Sequence, residues 1–312
     1  MSIDSRLDVL LSIACADALG AATEFKTPQQ IARIFAPDAF SDFQPGSPFG
    51  FAPGEATDDT QMIVAHLLRP DDPWAGFQAW VGTNPPDVGG LTRDALATSG
   101  YDAWEASGRH SAGNGGLMRI AATWLVGHRG TDLLAHAAHD TALTHVDPRC
   151  VQASLVLVAL MEALAEGTAH DVAVHASLDA VRGTDVASLM QASGLVPDDV
   201  LPLYDPDAEA FATVEEATLD GLAQKPGPQG GYVIDTLQQA VRRGGAVSWS
   251  DGIVPIVMLG DDSDTVAAVA GAILGARGIT APERLTTTVR LGTSWPGWER
   301  EWPLAANAHK IL

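Results

Sequence analysis

Two short runs gather carboxylates and hydroxyls more densely than structure alone requires. Glu55-Ala-Thr57-Asp58-Asp59-Thr60 leads directly into the apolar pattern Met62-Ile63-Val64-Ala65, and Gly260-Asp261-Asp262-Ser263-Asp264-Thr265 leads into a run of small apolar residues ending near Ala276. Helix capping explains one or two such groups, because Thr and Asp accept from free backbone N–H groups and favour the positive end of the helix dipole. It does not explain this many, twice. Successive helical residues point about 100° apart, so Thr57, Asp58 and Asp59 converge on one centre only in an irregular turn at the helix start, which a bound metal would justify. Hard oxygen donors suit Mg2+, Mn2+ or Ca2+, and the scarcity of Cys and of paired His spacing argues against zinc at these clusters. Without cations such carboxylates repel one another and partly protonate; two divalent ions would offset most of the charge.

One other chemistry competes for the second run. Asp262-Ser263-Asp264-Thr265-Val266 also fits the acidic motif of haloacid-dehalogenase-type phosphatases, in which an Asp is phosphorylated. Those enzymes carry the motif at the end of a β-strand early in an α/β domain, whereas here it lies late and enters a helical pattern.

The elements that must hold these residues read as helices. Apolar residues recur at helical spacing in Leu7, Leu10, Leu11, Ala14 and Ala18 and in Val151, Leu155, Val158, Met161 and Ala165, with Gly20 and Gly167 as C-terminal stops. Further helical patterns follow Thr60, Gly116, Thr131, Thr236 and Asp264, while alternating β-branched and aromatic runs are scarce. Pro/Gly-rich stretches at Phe43–Gly54, Pro85–Gly90 and Gln224–Gly231 read as loops, and the acidic segment Asp198–Asp220 as an exposed excursion. No repeat, low-complexity tract or convincing linker divides the chain, so residues 1–312 are expected to form one mostly α-helical domain.

With 312 residues, 46% of them apolar, the chain has ample material for a buried core. Its 39 acidic and 18 basic residues give a net charge of -21, which repels a nucleic-acid backbone and favours cations, though general solubility is the plainer reading of the surface charge. Only Cys15 and Cys150 occur, neither a disulfide framework nor a zinc set, so a reducing, cytoplasmic location is expected. Asp4, Asp8 and Asp17 interrupt the apolar N-terminal run, which therefore reads as mature protein rather than a signal peptide. The longest apolar helical patterns, Ser154–Met161 and Val266–Ala276, fall short of the roughly 20 residues that cross a bilayer, so no membrane association is expected.

Taken in order, Asp17-Ala-Leu-Gly20 with Glu24, then Thr57-Asp58-Asp59-Thr60, Gly113-Asn114-Gly115-Gly116-Leu-Met118-Arg119, Thr144-His145 and Asp262-Ser-Asp264-Thr265, the sequence resembles the ADP-ribosylglycohydrolase family over nearly its whole length. The resemblance implies an all-α fold, a single compact multi-helix orthogonal bundle with a central dimetal cleft, and two Mg2+ or Mn2+ ions held there by Thr57, Asp58, Asp59, Asp262, Asp264 and Thr265, with Glu24 nearby. The backbone N–H groups of Gly113–Gly116, leading into a helix, would cradle a diphosphate. Asn114, Gly115, Gly116, Met118 and His145 would line the substrate cleft, and Tyr232 in Gly231-Tyr-Val-Ile-Asp-Thr236 would offer a platform for the nucleotide or ribose. Buried packing is the plainer alternative for His145 and Tyr232, as core or subunit contact is for Trp295, Trp298 and Trp302. Departures from the family pattern are Ala16, Asp261 and Ser263, the first two standing where Gly is usual and the last for Thr; all proposed ligands are retained.

The stretch Pro85-Pro86-Asp87-Val-Gly89-Gly90-Leu-Thr92-Arg93 is similar to a segment of the nitrogenase-reductase-reactivating type within that family, whose substrates are arginine-linked, although Asn is expected where Gly90 stands. Asp87 then becomes a candidate for proton transfer together with Glu24, with Asp59 as a further catalytic candidate, against the plainer reading of a Pro-Asp-x-Gly turn. The function expected is a metal-dependent hydrolase releasing ADP-ribose from an ADP-ribosylated protein or a small ADP-ribosyl conjugate, working as a monomer or small homo-oligomer. A non-catalytic ADP-ribose-binding protein and a metal-dependent phosphatase are the alternatives.

Overall fold

A computed structural model describes residues 3–36, 38–292 and 302–312; Trp295 and Trp298 lie outside them. The architecture is all-α. The only strands among the described residues are the two-residue pair Arg290–Leu291 and Trp302–Pro303, which pair antiparallel and leave Trp302 buried.

The central scaffold is a pair of helices from opposite ends of the chain. Ile3–Gly20 packs along Ser263–Ala276; the late helix is buried on every face, and the early one is buried from Val9 onward. Small residues bring the two backbones close. A Cβ at Gly275 would lie 2.9 Å from the Val9 Cα, and one at Gly271 would lie 2.8 Å from the Ser12 carbonyl oxygen. Ser12 donates to the Gly271 carbonyl at 2.7 Å and accepts from the Trp249 indole N–H at 3.0 Å, so its buried hydroxyl is satisfied.

Pro148–Ala165 runs through the middle of the bundle, started by Pro148 in its first turn and capped by the Asp147 carboxylate. At 18 residues it is longer than the expected Ser154–Met161, and by length and composition it could cross a membrane. In the fold, 78% of it is buried against other helices. Gly167, with φ of 89°, ends it as expected.

The acidic segment is not an excursion. Asp198–Tyr204 forms a 3-10 helix and Glu209–Leu222 an α-helix whose Phe211, Val214 and Ala217 enter the core while Glu216 faces out. The charges there had hidden an ordinary amphipathic pattern. Gly116 likewise does not open a helix: residues 114–120 form successive tight turns, and the helix begins only at Ala121. Loops occupy the three Pro/Gly-rich stretches as expected, and the Asp58–Leu67, Gly130–Ala142, Val233–Gly244 and Ser263–Ala276 helices fall where the patterns place them.

Candidate active site and metal centre

Asp17, near the end of the N-terminal helix, fixes the first acidic run. Its fully buried carboxylate accepts from the Thr57 N–H at 3.1 Å, the Thr57 hydroxyl at 2.8 Å, the Thr60 N–H at 3.2 Å and the Thr60 hydroxyl. Thr57 occupies the N-cap position of the Asp58–Leu67 helix but makes no side-chain cap bond; the cap comes from the other helix. Sequence reasoning did not place Asp17 in the site. Its signals were a lone carboxylate inside an apolar helical run and its place in the first motif of the family resemblance.

Anchored there, the helix start turns Asp59 inward and Asp58 toward open space. Asp59 Oδ2 accepts from the Thr265 hydroxyl at 3.3 Å and lies 3.2 Å from the Thr57 hydroxyl. The second run meets the first because Gly20 lets the helices touch: the Ser263 hydroxyl donates to the Gly20 carbonyl at 3.0 Å, and Asp264 comes to lie beside Asp59. Asp261, at φ of 55°, turns the chain just before it, pairing its backbone with Phe25 and Lys26. Asp262 accepts from the Asn114 amide at 2.6 Å, and that amide also donates to Thr236 at 2.9 Å.

The result is two carboxylate triads that share a member. Oxygens of Asp17, Asp59 and Asp264 lie within 4.8 Å of one another, as do oxygens of Glu24, Asp87 and Asp264. Asp17 already accepts four hydrogen bonds and is therefore an anchor rather than a free ligand. Asp59 Oδ1 and Glu24 Oε2 are the reverse: buried, with no hydrogen-bond partner among the described residues. An unpaired buried carboxylate oxygen is costly, so these two call for a cation. The oxygen-only donor set fits hard divalent ions.

Electrostatics agree. Burial, then neighbouring carboxylates, raises Glu24 to about 9 and Asp87 to about 7. Burial raises Asp17 to about 6 against the lowering effect of its Thr57 and Thr60 hydrogen bonds. Asp58, Asp59 and Asp264 are pushed well above the carboxylate range for the same first reason, burial, with mutual repulsion added. Asp262 is raised by burial, opposed by its bonds to Asn114 and Thr265.

Above the triads opens a cleft of about 280 Å³. Glu24, Asp58, Asp87, Asn114, Gly115, Met118, His145, Asp262, Asp264 and Thr265 line it. Thr57 and Asp59 lie beneath this lining, and Gly116 packs against His145, where a Cβ would meet the His145 Cβ at 3.1 Å. The Tyr232 ring is not brought to the lining; Arg149 covers it, donating to its hydroxyl at 3.1 Å. Its neighbour Gly231 does line the cleft, held by a backbone bridge between Gly113 and Tyr232. Unforeseen at the mouth is Phe25, an aromatic 64% exposed.

His145 is held by a chain of donors. The buried Arg119 donates to the Thr144 hydroxyl at 2.8 Å, and that hydroxyl lies 2.7 Å from His145 Nδ1. Since the hydroxyl accepts from Arg119, its proton goes to Nδ1, which leaves the imidazole proton on Nε2. Burial, then the Arg119 charge, lowers His145 well below its ordinary range, so it is a neutral N–H donor beside Gly113 and Gly115.

The chain belongs to the ADP-ribosylglycohydrolase family, whose description matches residues 3–295. It is 26% identical over 286 residues to the ADP-ribosyl-[dinitrogen reductase] glycohydrolase of Rhodospirillum rubrum, covering 88% of this chain and 85% of that protein. It is also 26% identical over 297 residues to the ADP-ribosylarginine hydrolase Tri1 of Serratia proteamaculans, covering 88% and 72%. A solved ADP-ribosylglycohydrolase-related protein complex contains a similar chain, with a TM-score of 0.66, 26% identity, and coverage of 94% of this chain and 93% of that one. The protein is thus a glycohydrolase acting on ADP-ribosyl groups, which sets aside the binding-only and phosphatase alternatives.

Proposed function

We propose that the protein is a divalent-cation-dependent hydrolase that releases ADP-ribose from arginine-linked conjugates. The observation that carries this reading is the pair of triads joined at Asp264, each with a member, Asp59 or Glu24, that has an orphaned buried oxygen. Thr57, Asp58, Asp59, Asp262, Asp264 and Thr265 would hold two ions, Mg2+ or Mn2+, with Glu24 beside them. Bound divalent ions would supply charge for the ribose hydroxyls and for an attacking water.

The chain's own residues would do the rest. Hydrolysis breaks the bond between the anomeric carbon and the guanidine nitrogen and forms one to water oxygen, through an oxocarbenium-like state. Asp87, across the cleft on the Pro85–Gly90 loop and in contact with Asp58, would take the proton from water, with Glu24 as its partner in proton transfer. The same loop carboxylate complements a guanidinium, and the names of the two relatives above, one of them an arginine hydrolase, support that choice of leaving group. His145 Nε2–H and the Gly113–Gly115 backbone would contact the phosphates or distal ribose, and Phe25 at the mouth would stack on the base.

The test is incubation with Mg2+ or Mn2+ and peptides ADP-ribosylated on Arg, Ser or Cys, following free ADP-ribose. Release from the arginine conjugate above the others, abolished by chelation, is expected. Preference for serine overturns the arginine assignment, and full activity in verified metal-free buffer overturns the metal assignment.

A further inference from the structure

We propose that His128, Asp132 and His136 form a second metal site, selective for a late first-row transition ion of the Zn2+ class and separate from the cleft. Three of the chain's nine histidines, His128, His136 and His139, line one surface groove of about 460 Å³ that shares no lining residue with the cleft. Asp132 and His136 stand one turn apart on the Gly130–Ala142 helix, and His128 occupies the segment just before it. The three side chains therefore project from one face.

The three groups lie within reach of one ion. Asp132 divides its oxygens between the rings, Oδ2 lying 2.5 Å from His128 Nδ1 and Oδ1 3.5 Å from His136 Nε2. One atom from each residue falls within 4.8 Å of the other two. The two imidazoles stack with centroids 3.7 Å apart and planes 14° apart. One divalent ion between these atoms would join all three groups. Imidazole and carboxylate together suit Zn2+, Ni2+ or Cu2+, whereas the all-oxygen cleft suits harder ions. His139 is not a fourth ligand, because its Nδ1 faces Asp140 Oδ1 at 3.0 Å. A three-residue set leaves a coordination position for water, and His136 is 46% exposed, so an ion reaches the site from solvent. An eight-residue His spacing is outside the pairings sought in the sequence.

The test is titration of the full-length protein, its cleft first saturated with Mg2+, with Zn2+ followed calorimetrically and by elemental analysis. One equivalent of Zn2+ resistant to excess Mg2+ is expected, lost in His128→Ala/His136→Ala while the Mg2+-supported rate stays at the wild-type value. Both side chains are partly exposed, so folding of the variant is confirmed by an unchanged melting temperature in metal-free buffer. Co2+ in place of Zn2+ should give visible absorption bands in the wild type only. Zn2+ uptake that Mg2+ competes away, uptake unchanged in the double variant, or no uptake at all overturns the assignment.

Discussion

Replacing Gly20 with Ala would place a Cβ 2.5 Å from the Asp264 Cα and 2.6 Å from both the Asp264 nitrogen and the Ser263 carbonyl oxygen. Ordinary contact begins at 3.4 Å, so the two helices must separate by about 0.9 Å (3.4 less 2.5), and the atoms in the way are backbone, which cannot rotate aside. Overpacking of this kind costs about 1–3 kcal/mol. For a protein of this size each kcal/mol lowers the melting temperature by roughly 2–4 °C, so a fall of roughly 2–12 °C is expected. The displaced residue is the one shared by both triads, and a misplacement near 1 Å can cost about 100-fold in rate. Gly275→Ala separates the two effects. It overpacks the far end of the same helix pair against the Val9 Cα at 2.9 Å, and should lower the melting temperature while leaving the rate nearly unchanged. Thermal denaturation, steady-state release of ADP-ribose and metal stoichiometry measured together decide the matter. A Gly20→Ala protein with wild-type stability and rate would refute the claim that close approach at this residue builds the site.

Asp264→Asn removes a shared charge at nearly constant shape, so metal content and activity should collapse while the fold survives; retention of both by elemental analysis and assay would make the late run a mere helix cap. Asp87→Ala should lower the rate by about 100-fold or more with both ions still bound, and an unimpaired variant would remove Asp87 from proton transfer. Thr144→Val breaks the link between Arg119 and His145, and a rate loss of about 10-fold with recovery in Thr144→Ser is expected; equal rates in the two variants would show that His145 is held otherwise. Metal-free protein should melt lower at pH 8.5 than at pH 6. Asp17, Asp87 and Glu24 sit at about 6, 7 and 9, above their unfolded range near 4, so the folded chain binds the extra protons and loses that stability as pH rises through these values. A metal-free melting temperature that is flat or rising over this interval contradicts the shifts.

Local patterns carried much of this molecule into view. Asp58, Asp59, Asp262 and Asp264 were legible because acidic residues outnumbered what a helix start needs, and chemistry supplied the reason. Asp17 was not, since its partners Thr57 and Thr60 lie 40 and 43 positions away and only folding reveals them. The surroundings of Tyr232 were hidden for a similar reason: its ring packs beside Arg149, a residue unrelated to it in sequence. The Glu209–Leu222 helix was obscured by its own charge, which fell on the outer face while Phe211 and Val214 kept helical spacing beneath it. Residues 114–120 follow turns because Arg119 bonds back to the Gly115 carbonyl and across to Asp140, a tertiary demand that no local propensity expresses.

The pairing of Ile3–Gly20 with Ser263–Ala276 also has a consequence for biosynthesis. Gly20 and Ser263 are separated by 243 positions. At the roughly 5–20 residues per second of translation, the first helix leaves the ribosome roughly 12–50 s before its partner exists. Throughout that interval the apolar stretch Val9–Leu19 has no native late helix to cover it, and the half of the centre formed by Asp58 and Asp59 has no Asp264 to complete it. The nascent chain should therefore depend on chaperone shielding, and the proposed ions would bind only after the late helix docks, as the last event of maturation rather than the first.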